Sequence, residues 1–225
     1  MIILALDTSG RVATAALMKD GALLYEVYLH HELTHSDVFL PMVDEALHAV
    51  CVSPGDVGLV ACSVGPGSFT GLRIGVASAR AIAHAVGACT MPVNTLDALY
   101  QNVCVYEGAV CVMMDARREQ VYTARYAAGE RISPYEALSL QEAVANAEDA
   151  LYIGDGASVY RESILSLQPG AVFAPPHLNF QRSSSVALCA QRAYAQGVRL
   201  GVDDLVPFYI RKPQAEREYE RNMKA

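Results

Sequence analysis

The sequence lacks every short cysteine arrangement that would tie a small domain together or hold a metal ion. Its six cysteines include no C-x-x-C pair and no framework of the kind that small secreted proteins use. Since 225 residues with 52% hydrophobic content can bury a core without such links, we predict reduced, buried thiols at all six positions. They are Cys51, Cys62, Cys89, Cys104, Cys111 and Cys189.

Long apolar runs and positive charge are also scarce. The apolar stretch from Met1 to Leu6 ends at Asp7, and no positively charged segment precedes it, so we predict neither a signal peptide nor a membrane span and expect a cytoplasmic protein. The chain has 17 lysines and arginines against 24 acidic residues, a formal charge of -7. Such a protein repels phosphate backbones, so we expect nucleic acid to be reached only through a more basic partner.

Hydrophobic periodicity divides the chain near residue 105. Residues 1–105 contain three short strand-like runs and then alternate between helix and strand, in the order β-β-β-α-β-α-β-α. Residues 106–225 resemble a shorter, looser version of this order, followed by a helix over 183–197 and a charged tail. The pattern predicts an α/β protein in two related parts, with helices over 36–50, 72–86, 95–105, 140–147 and 157–167.

Residues 31–35 spell His-Glu-Leu-Thr-His, the H-E-x-x-H pattern of zinc peptidases. The pattern holds zinc only when both histidines lie on one face of an established helix. Here residues 23–30 alternate like a strand and Thr34 or Ser36 marks a helix start, so the first histidine falls in a connection. The further histidine of one large peptidase class is missing from residues 36–41. We therefore reject a zinc peptidase and predict no metal site.

The most distinctive stretch, residues 65–75, reads Gly-Pro-Gly-Ser-Phe-Thr-Gly-Leu-Arg-Ile-Gly between a buried strand and a helix. Its glycines permit tight turning, and backbone N–H groups at a helix N-terminus can hold an anion. It is not a Walker loop, because Leu72 and Arg73 follow Gly71 where lysine and serine or threonine are required. A tight strand-to-helix connection is the favoured interpretation, and an anion site is the alternative.

Two aspartates, Asp7 and Asp115, end the first strand of each half. Such a pseudo-symmetric pair could flank a metal-bound nucleotide, or each carboxylate could cap nearby backbone. Together with Gly67 and Ser68 they form a candidate degenerate nucleotide or anion site. Asp155 is interpreted as part of a generic turn, and no nucleophile can be paired with a base from the sequence.

The predicted second helix carries a ridge of small residues. Glycine inside a helix costs about 0.5–1 kcal/mol relative to alanine, so close packing of another helix is expected to offset that cost. The small residues recur every four positions at Gly71, Gly75, Ala79, Ala83 and Gly87, with a neighbouring row at Ala77, Ala81 and Ala85.

The predicted first helix is apolar over more than one face. Val38, Leu40 and Leu47 widen a stripe that a single buried face would not need. A protein interface and coverage by the second half of the chain explain the excess equally well. The stripe itself consists of Phe39, Met42, Val43, Ala46 and Val50.

Several of these segments, in their order along the chain, resemble the bacterial TsaB (YeaZ) family. The resemblance covers most of the chain up to about residue 125; the glycine stretch is its most specific part, and residues 207–211 are its best later piece. It implies the actin-like, ribonuclease-H-like ATPase superfamily fold, with subdomains 1–105 and 106–225. The segments are Ile3 to Ser9, His35-Ser36 with Leu40-Pro41, Gly65 to Gly75, Asn94 to Leu99, and Asp115 to Arg117 with Val121-Tyr122.

The resemblance also implies a function. A TsaB protein is a non-catalytic subunit in the formation of N6-threonylcarbamoyladenosine in tRNA, without a cofactor of its own. It binds its catalytic paralogue TsaD through the first two long helices, an ATPase called TsaE joins the pair, and the same helices support a homodimer. The interface implied here comprises Ser36, Phe39, Leu40, Val43, Leu47, Gly71, Arg73, Gly75, Ala79 and Ala83.

Two departures from catalytic relatives support the non-catalytic interpretation. The metal-binding histidine pair of the paralogue would fall in the segment from Asn94 to Leu99, which contains no histidine. The segment from Asp7 to Gly10 lacks the glycine two residues after the aspartate that actin-like ATPases carry. We therefore predict no intrinsic transferase, ATPase or protease activity, with a degenerate actin-like nucleotide-binding enzyme as the alternative.

Overall fold

The computed structural model describes residues 1–30 and 35–211, with backbone alone at residue 35. Two sequence interpretations lie outside these ranges: the connection that contains residues 31–34, and the charged tail over 212–225. Within the described ranges, no helix combines the length and apolar character that crossing a membrane requires.

Five strands form the first sheet: β1 (Ile2–Asp7), β2 (Ala13–Lys19), β3 (Ala22–Leu29), β4 (Val57–Gly65) and β5 (Cys89–Asn94). Their order is β3-β2-β1-β4-β5, with an antiparallel meander of β1 to β3 and with β4 and β5 parallel to β1. The turn between β2 and β3 has positive φ at Asp20 (50°) and Gly21 (87°), as a type I′ hairpin requires.

The second sheet repeats this topology with shorter outer strands. Its strands are β6 (Val110–Asp115), β7 (Gln120–Ala127), β8 (Glu130–Arg131), β9 (Glu136–Ser139), β10 (Leu151–Ile153) and β11 (Val172–Phe173). The order is β11-β10-β6-β7-β8, β9 also pairs with β7, and β10 runs parallel to β6. If β9 is set aside and the strands are numbered from β1 in the first sheet and from β6 in the second, both sheets have the strand order 3-2-1-4-5. The predicted actin-like, ribonuclease-H-like fold is confirmed.

Helices cover the sheets on both sides. α1 and α2 pack on one face of the first sheet, where they enclose a core with Leu4, Leu6 and Leu17. The helices are α1 (His35–Ala49), α2 (Phe69–Val86), α3 (Thr95–Gln101), α4 (Leu140–Ala145), α5 (Asp155–Val159), α6 (Arg161–Leu167) and α7 (Ser183–Ala195), with short 3-10 turns at Pro54–Asp56, Pro176–Leu178 and Val202–Asp204.

The helix α7 returns from the second half of the sequence to the first sheet. Its Val186 and Ala190 are fully buried in a core shared with Ile3 of β1. The helix α3 joins the two sheets, since Ala98 packs in that same core while Leu96 packs with residues of β6. The two halves therefore share α3 and α7 as common packing elements.

Three of the predicted helices differ most from the observed ones. α2 begins at Phe69 and not at residue 72, because the Ser68 hydroxyl accepts a hydrogen bond from Gly71 N (3.2 Å) and caps the first turn. α3 ends at Gln101, and the Asn102 side chain that follows donates to backbone carbonyls near residue 180. The predicted helix over 157–167 is two helices that meet at Tyr160.

All six cysteines are free, but the prediction that all are buried is wrong. Cys51 is exposed just after α1, while Cys62 and Cys111 lie in the cores of the two sheets. Burial raises the pKa of the Cys111 thiol to about 11, so this group remains protonated at neutral pH.

Candidate functional site

The predicted interface residues of α1 divide into buried and exposed groups. Phe39, Val43 and Leu47 are at most 8% exposed and pack in the core of the first sheet. Leu40 is 54% exposed and Ser36 is also exposed. Only the latter two can therefore contact another molecule directly without rearrangement.

The ridge of small residues on α2 faces the chain's own first sheet. A Cβ atom on Gly71 would lie 2.1 Å from Thr8 O, and one on Gly75 would lie 2.4 Å from Thr8 Oγ1. Ala79 and Ala83, further along the ridge, are fully buried. The expectation that this row receives a second helix is thus corrected, because the first sheet itself approaches closely there.

The neighbouring row on α2 is the exposed one. Ala77, Ala81 and Ala85 lie at four-residue spacing on the outer side of the helix. Arg73 precedes them in the same row and is exposed, with its guanidinium over the Phe69 ring at 4.0 Å. Because α1 and α2 pack side by side on one sheet face, their outer sides form one surface, which we call the two-helix face.

Gly75→Val is expected to lower the free energy of unfolding by about 2 kcal/mol or more. The added atoms would meet Thr8 Oγ1, which donates to Gly71 O at 2.8 Å in a buried position. Urea denaturation measures the effect. Ala77→Val, an exposed position in the same helix, is the matched control and should cost less than about 1 kcal/mol. Equal losses for both variants would contradict the assigned packing of the ridge.

A cleft of about 520 Å³ lies where the two sheets meet. Its walls come from the β1–β2 connection, the β4–α2 loop, the β6–β7 turn and the C-terminal segment Phe208 to Arg211. Three residues of the candidate nucleotide or anion site, Gly67, Ser68 and Asp115, line this cleft together. A volume of this size is typical of small-molecule sites.

The glycines of the β4–α2 loop permit close approach of other backbone segments. Gly65 has a φ of 126°, and a Cβ there would lie 2.3 Å from Phe208 O. A Cβ on Gly67 would lie 2.3 Å from Ser9 O, the same oxygen that accepts a hydrogen bond from Ser68 N at 2.7 Å. The glycine stretch is therefore the tight connection that the sequence favoured, and four of its residues, 66–69, also line the cleft.

Asp7 belongs to the core and is separate from the residues that line the cleft. It is fully buried, and its Oδ1 accepts hydrogen bonds from Ser9 N (2.8 Å) and Ser9 Oγ (2.6 Å). Its other carboxylate oxygen accepts a hydrogen bond from the Ser63 hydroxyl. These bonds satisfy a buried carboxyl group and connect β1 to its neighbours.

Of the acidic residues that the structure describes, Asp115 and Asp155 line the cleft. Asp115 Oδ1 accepts hydrogen bonds from Arg117 N (2.8 Å) and Tyr160 OH (3.0 Å), and Arg11 lies 3.9 Å from its Oδ2. Asp155 accepts a hydrogen bond from Asp115 N at 3.1 Å. Burial, and secondarily the Asp115 charge, raises the pKa of Asp155. Among the described residues, no group of three or more His, Cys, Asp or Glu side chains could hold a metal ion.

Asp155→Asn is expected to stabilise the protein at pH 7 relative to wild type. Because the folded pKa of Asp155 is raised, its charged form destabilises the fold above that pKa, and the wild-type protein gains stability from protonation as the pH falls. The advantage of the variant should therefore shrink as the pH is lowered and vanish below about pH 4, near the unfolded pKa. Urea denaturation at pH 4, 5.5 and 7 tests this, and a difference that is constant with pH would contradict it.

The C-terminal segment is the part of the cleft wall that the sequence did not assign. Phe208 N donates to Val64 O (2.7 Å), and Arg211 donates to Ala116 O (3.2 Å), so the segment bridges the two halves. Tyr209 packs on Phe69 with ring centroids 5.1 Å apart. In the sequence, residues 207–211 stand out only as a late piece of the resemblance, and Asp155 only as part of a turn.

A family model described as "TsaD: tRNA N6-adenosine threonylcarbamoyltransferase" matches residues 31–219. The chain is 31% identical to the tRNA threonylcarbamoyladenosine biosynthesis protein TsaB of Escherichia coli, covering 94% of this chain and 95% of that protein. It is 28% identical to the protein of the same name from Bacillus subtilis, over the whole of both chains. The structure of YeaZ from Pseudomonas aeruginosa superposes with a TM-score of 0.78 at 28% identity, covering 92% of this chain and 99% of that one.

Proposed function

Since this chain belongs to the TsaB (YeaZ) family of tRNA threonylcarbamoyladenosine biosynthesis proteins, we propose that it is the non-catalytic subunit that binds the catalytic TsaD subunit. Its role is to hold and activate that partner, and tRNA is reached through the complex. We propose that the chain carries out this function in the cytoplasm, where tRNA is modified. The observation that carries the proposal is the exposed two-helix face on a chain of this family.

The residues argue for a non-catalytic role even though the matching family model describes a transferase. The segment Asn94 to Leu99, where the resemblance places the paralogue's metal ligands, contains no histidine. Its Asp97 accepts hydrogen bonds from Tyr126 OH (2.7 Å) and Tyr135 OH (2.5 Å), a structural link from α3 to the second sheet. Asp7 is likewise committed to hydrogen bonds within its own chain.

TsaD is proposed to dock on the two-helix face. Small side chains at Ala77, Ala81 and Ala85 allow a partner helix to approach the α2 backbone. Leu40, 54% exposed on α1, offers an apolar side chain on the same face. Of the ten interface residues proposed from the sequence, three are exposed and available for direct contact: Ser36, Leu40 and Arg73. The other seven are buried and pack beneath the two-helix face.

Further partners are proposed on the same basis. A second copy of the chain would use the two-helix face in a homodimer, and so would compete with TsaD. An interface of standard size, about 1,200–2,000 Å² in total, suits a helical bundle of this kind. TsaE is expected to join the TsaD-bound form, and the chain itself is proposed to need no cofactor.

Co-purification tests the proposal. The chain mixed with TsaD from the same organism is expected to elute as one joint peak in size-exclusion chromatography, at a mass matching a heterodimer. The elution volume of the chain alone, measured at several concentrations, shows whether it forms a homodimer. Separate elution of the two proteins at micromolar concentration would contradict the proposed role.

The alternative, a degenerate actin-like nucleotide-binding enzyme, is favoured by the cleft of about 520 Å³ at the expected place between the sheets. Gly67, Ser68 and Asp115 face it, while Asp7 does not. Calorimetric titration with ATP and magnesium tests this function. The absence of a binding heat together with a joint TsaD peak would eliminate the alternative.

A further inference from the structure

Positive charge is concentrated around the cleft of a chain whose net charge is -7. Three arginines line the cleft itself, and three more lie in its turns or stack on aromatic residues beside it. The net charge of the whole sequence does not reveal this local excess of positive charge. The six are Arg11, Arg73, Arg117, Arg118, Arg131 and Arg211.

The β6–β7 turn presents two of these arginines to solvent. The side chain of Arg117 is 81% exposed, and Arg118 beside it is also exposed. Asp115 fixes the turn by accepting a hydrogen bond from Arg117 N at 2.8 Å. Arg11, 48% exposed, faces the same turn across the cleft, 3.9 Å from Asp115 Oδ2. The guanidinium groups on this rim are therefore accessible to solvent, while the backbone of the turn is held by Asp115.

Two aromatic rings lie exposed on the same wall. Phe208 is 40% exposed and Tyr209 is 37% exposed, and both line the cleft. The Phe208 backbone is held by its hydrogen bond to Val64 O (2.7 Å), and Arg73 Nε lies 3.4 Å from Tyr209 OH. These rings are held in place and offer apolar faces beside the arginines.

Acidic groups on this face do not cancel the arginines. Asp115 lies within 4.0 Å of both Arg11 and Arg117, so one carboxylate is shared between two guanidinium groups. Asp155 is buried at the cleft wall, and Glu119 is exposed in the β6–β7 turn. With Asp97, which accepts a hydrogen bond from the hydroxyl of Tyr135 beneath Arg131, four acidic residues of the described ranges face six arginines.

We propose that this cleft face binds a stretch of unpaired RNA directly. Phosphates would contact the arginines of the rim, and a base would stack on Phe208 or Tyr209. Arginine beside exposed aromatic rings is the combination by which proteins hold single-stranded nucleic acid, since phosphates contribute charge and every base has a π-face. The identity of this RNA as the unpaired loop of a tRNA rests on the proposed function, and the chain then contributes to RNA binding beyond its contact with TsaD.

Fluorescence anisotropy with a labelled RNA hairpin carrying an unpaired loop tests the proposal. A blunt-ended duplex with the sequence of the same stem, but without the loop, is the comparison. Both RNAs are titrated with the chain alone and with its TsaD complex. In the double variant Arg117→Gln/Arg118→Gln, the affinity for the hairpin is expected to fall about tenfold or more. The plot of log affinity against log salt concentration should also become less steep, by about 1.4. Arg161→Gln/Arg192→Gln, which changes two exposed arginines away from the cleft, is the matched control and should bind as wild type.

A second variant separates stacking from charge. Phe208→Leu keeps an apolar side chain but removes the ring, so hairpin affinity should fall while the salt slope stays the same. Hairpin binding unchanged in both cleft variants would overturn the proposal. It would also be overturned if the variants weakened only ATP binding, or only binding of a protein partner. Joint elution with TsaD, measured on the same samples, reports on the proposed function independently.

Discussion

Ala81→Glu is expected to abolish the joint peak with TsaD, with a loss of affinity of at least about 100-fold. Ala81 is exposed in the middle of the outer row of α2, where a small side chain permits a partner helix to approach. A glutamate there would hold the helices apart and would place an unpaired charge in the contact. Glutamate forms helix nearly as well as alanine, so the stability of the isolated chain should change by less than about 0.5 kcal/mol.

A matched control distinguishes docking from a general effect of charge. Ala145→Glu makes the same change at an exposed position of α4, in the second half of the chain. It should leave the joint peak intact. Biolayer interferometry gives the affinities, and circular dichroism confirms that both variants are folded. If Ala81→Glu bound TsaD as tightly as wild type, the two-helix face could not be the docking surface.

Asp7→Ala is expected to lower the free energy of unfolding by about 3–5 kcal/mol. The change removes an acceptor from Ser9 N, Ser9 Oγ and the Ser63 hydroxyl, and it leaves these donors unpaired inside the core. Urea denaturation measures the loss. Glu148→Ala, which removes an exposed carboxylate, should stay within about 0.5 kcal/mol of wild type.

A milder variant covers the case in which Asp7→Ala does not fold. Ser63→Ala removes one of the donors to Asp7 and should cost about 1–2 kcal/mol. A role of Asp7 in holding a nucleotide would give a different pattern, with altered ATP binding and little loss of stability. A loss below about 1 kcal/mol for Asp7→Ala would contradict the structural role.

Much of the fold could be predicted because its signals are local. Alternating residues, the Asp20-Gly21 turn and the glycine stretch fix the first meander and the start of α2 to within a few residues. The short strands β8, β9 and β11 were missed, since two to four residues carry too little periodic signal. The break at Tyr160 was missed for a related reason, because the apolar spacing continues across it.

The candidate site was predicted less well, because periodicity shows which residues share a helix face but not what covers that face. The row through Gly75 and the row through Ala77 look equally suited to a partner in the sequence. Thr8 decides between them, since it lies against Gly75 and leaves Ala77 exposed. Likewise, Asp7 and Asp115 occupy equivalent strand ends, yet Asp7 is enclosed by serine groups and Asp115 lines the cleft.

The sequence by itself determined the two-part α/β plan, the family, and the two helices on which the proposed function depends, because these follow from local periodicity and from motifs that are continuous in the chain. Only the tertiary structure decided which face of those helices remains exposed, where α7 packs, and that Phe208, Arg117 and Arg11 meet at one cleft. These are contacts between residues far apart in the chain, set by how the sheets and helices pack.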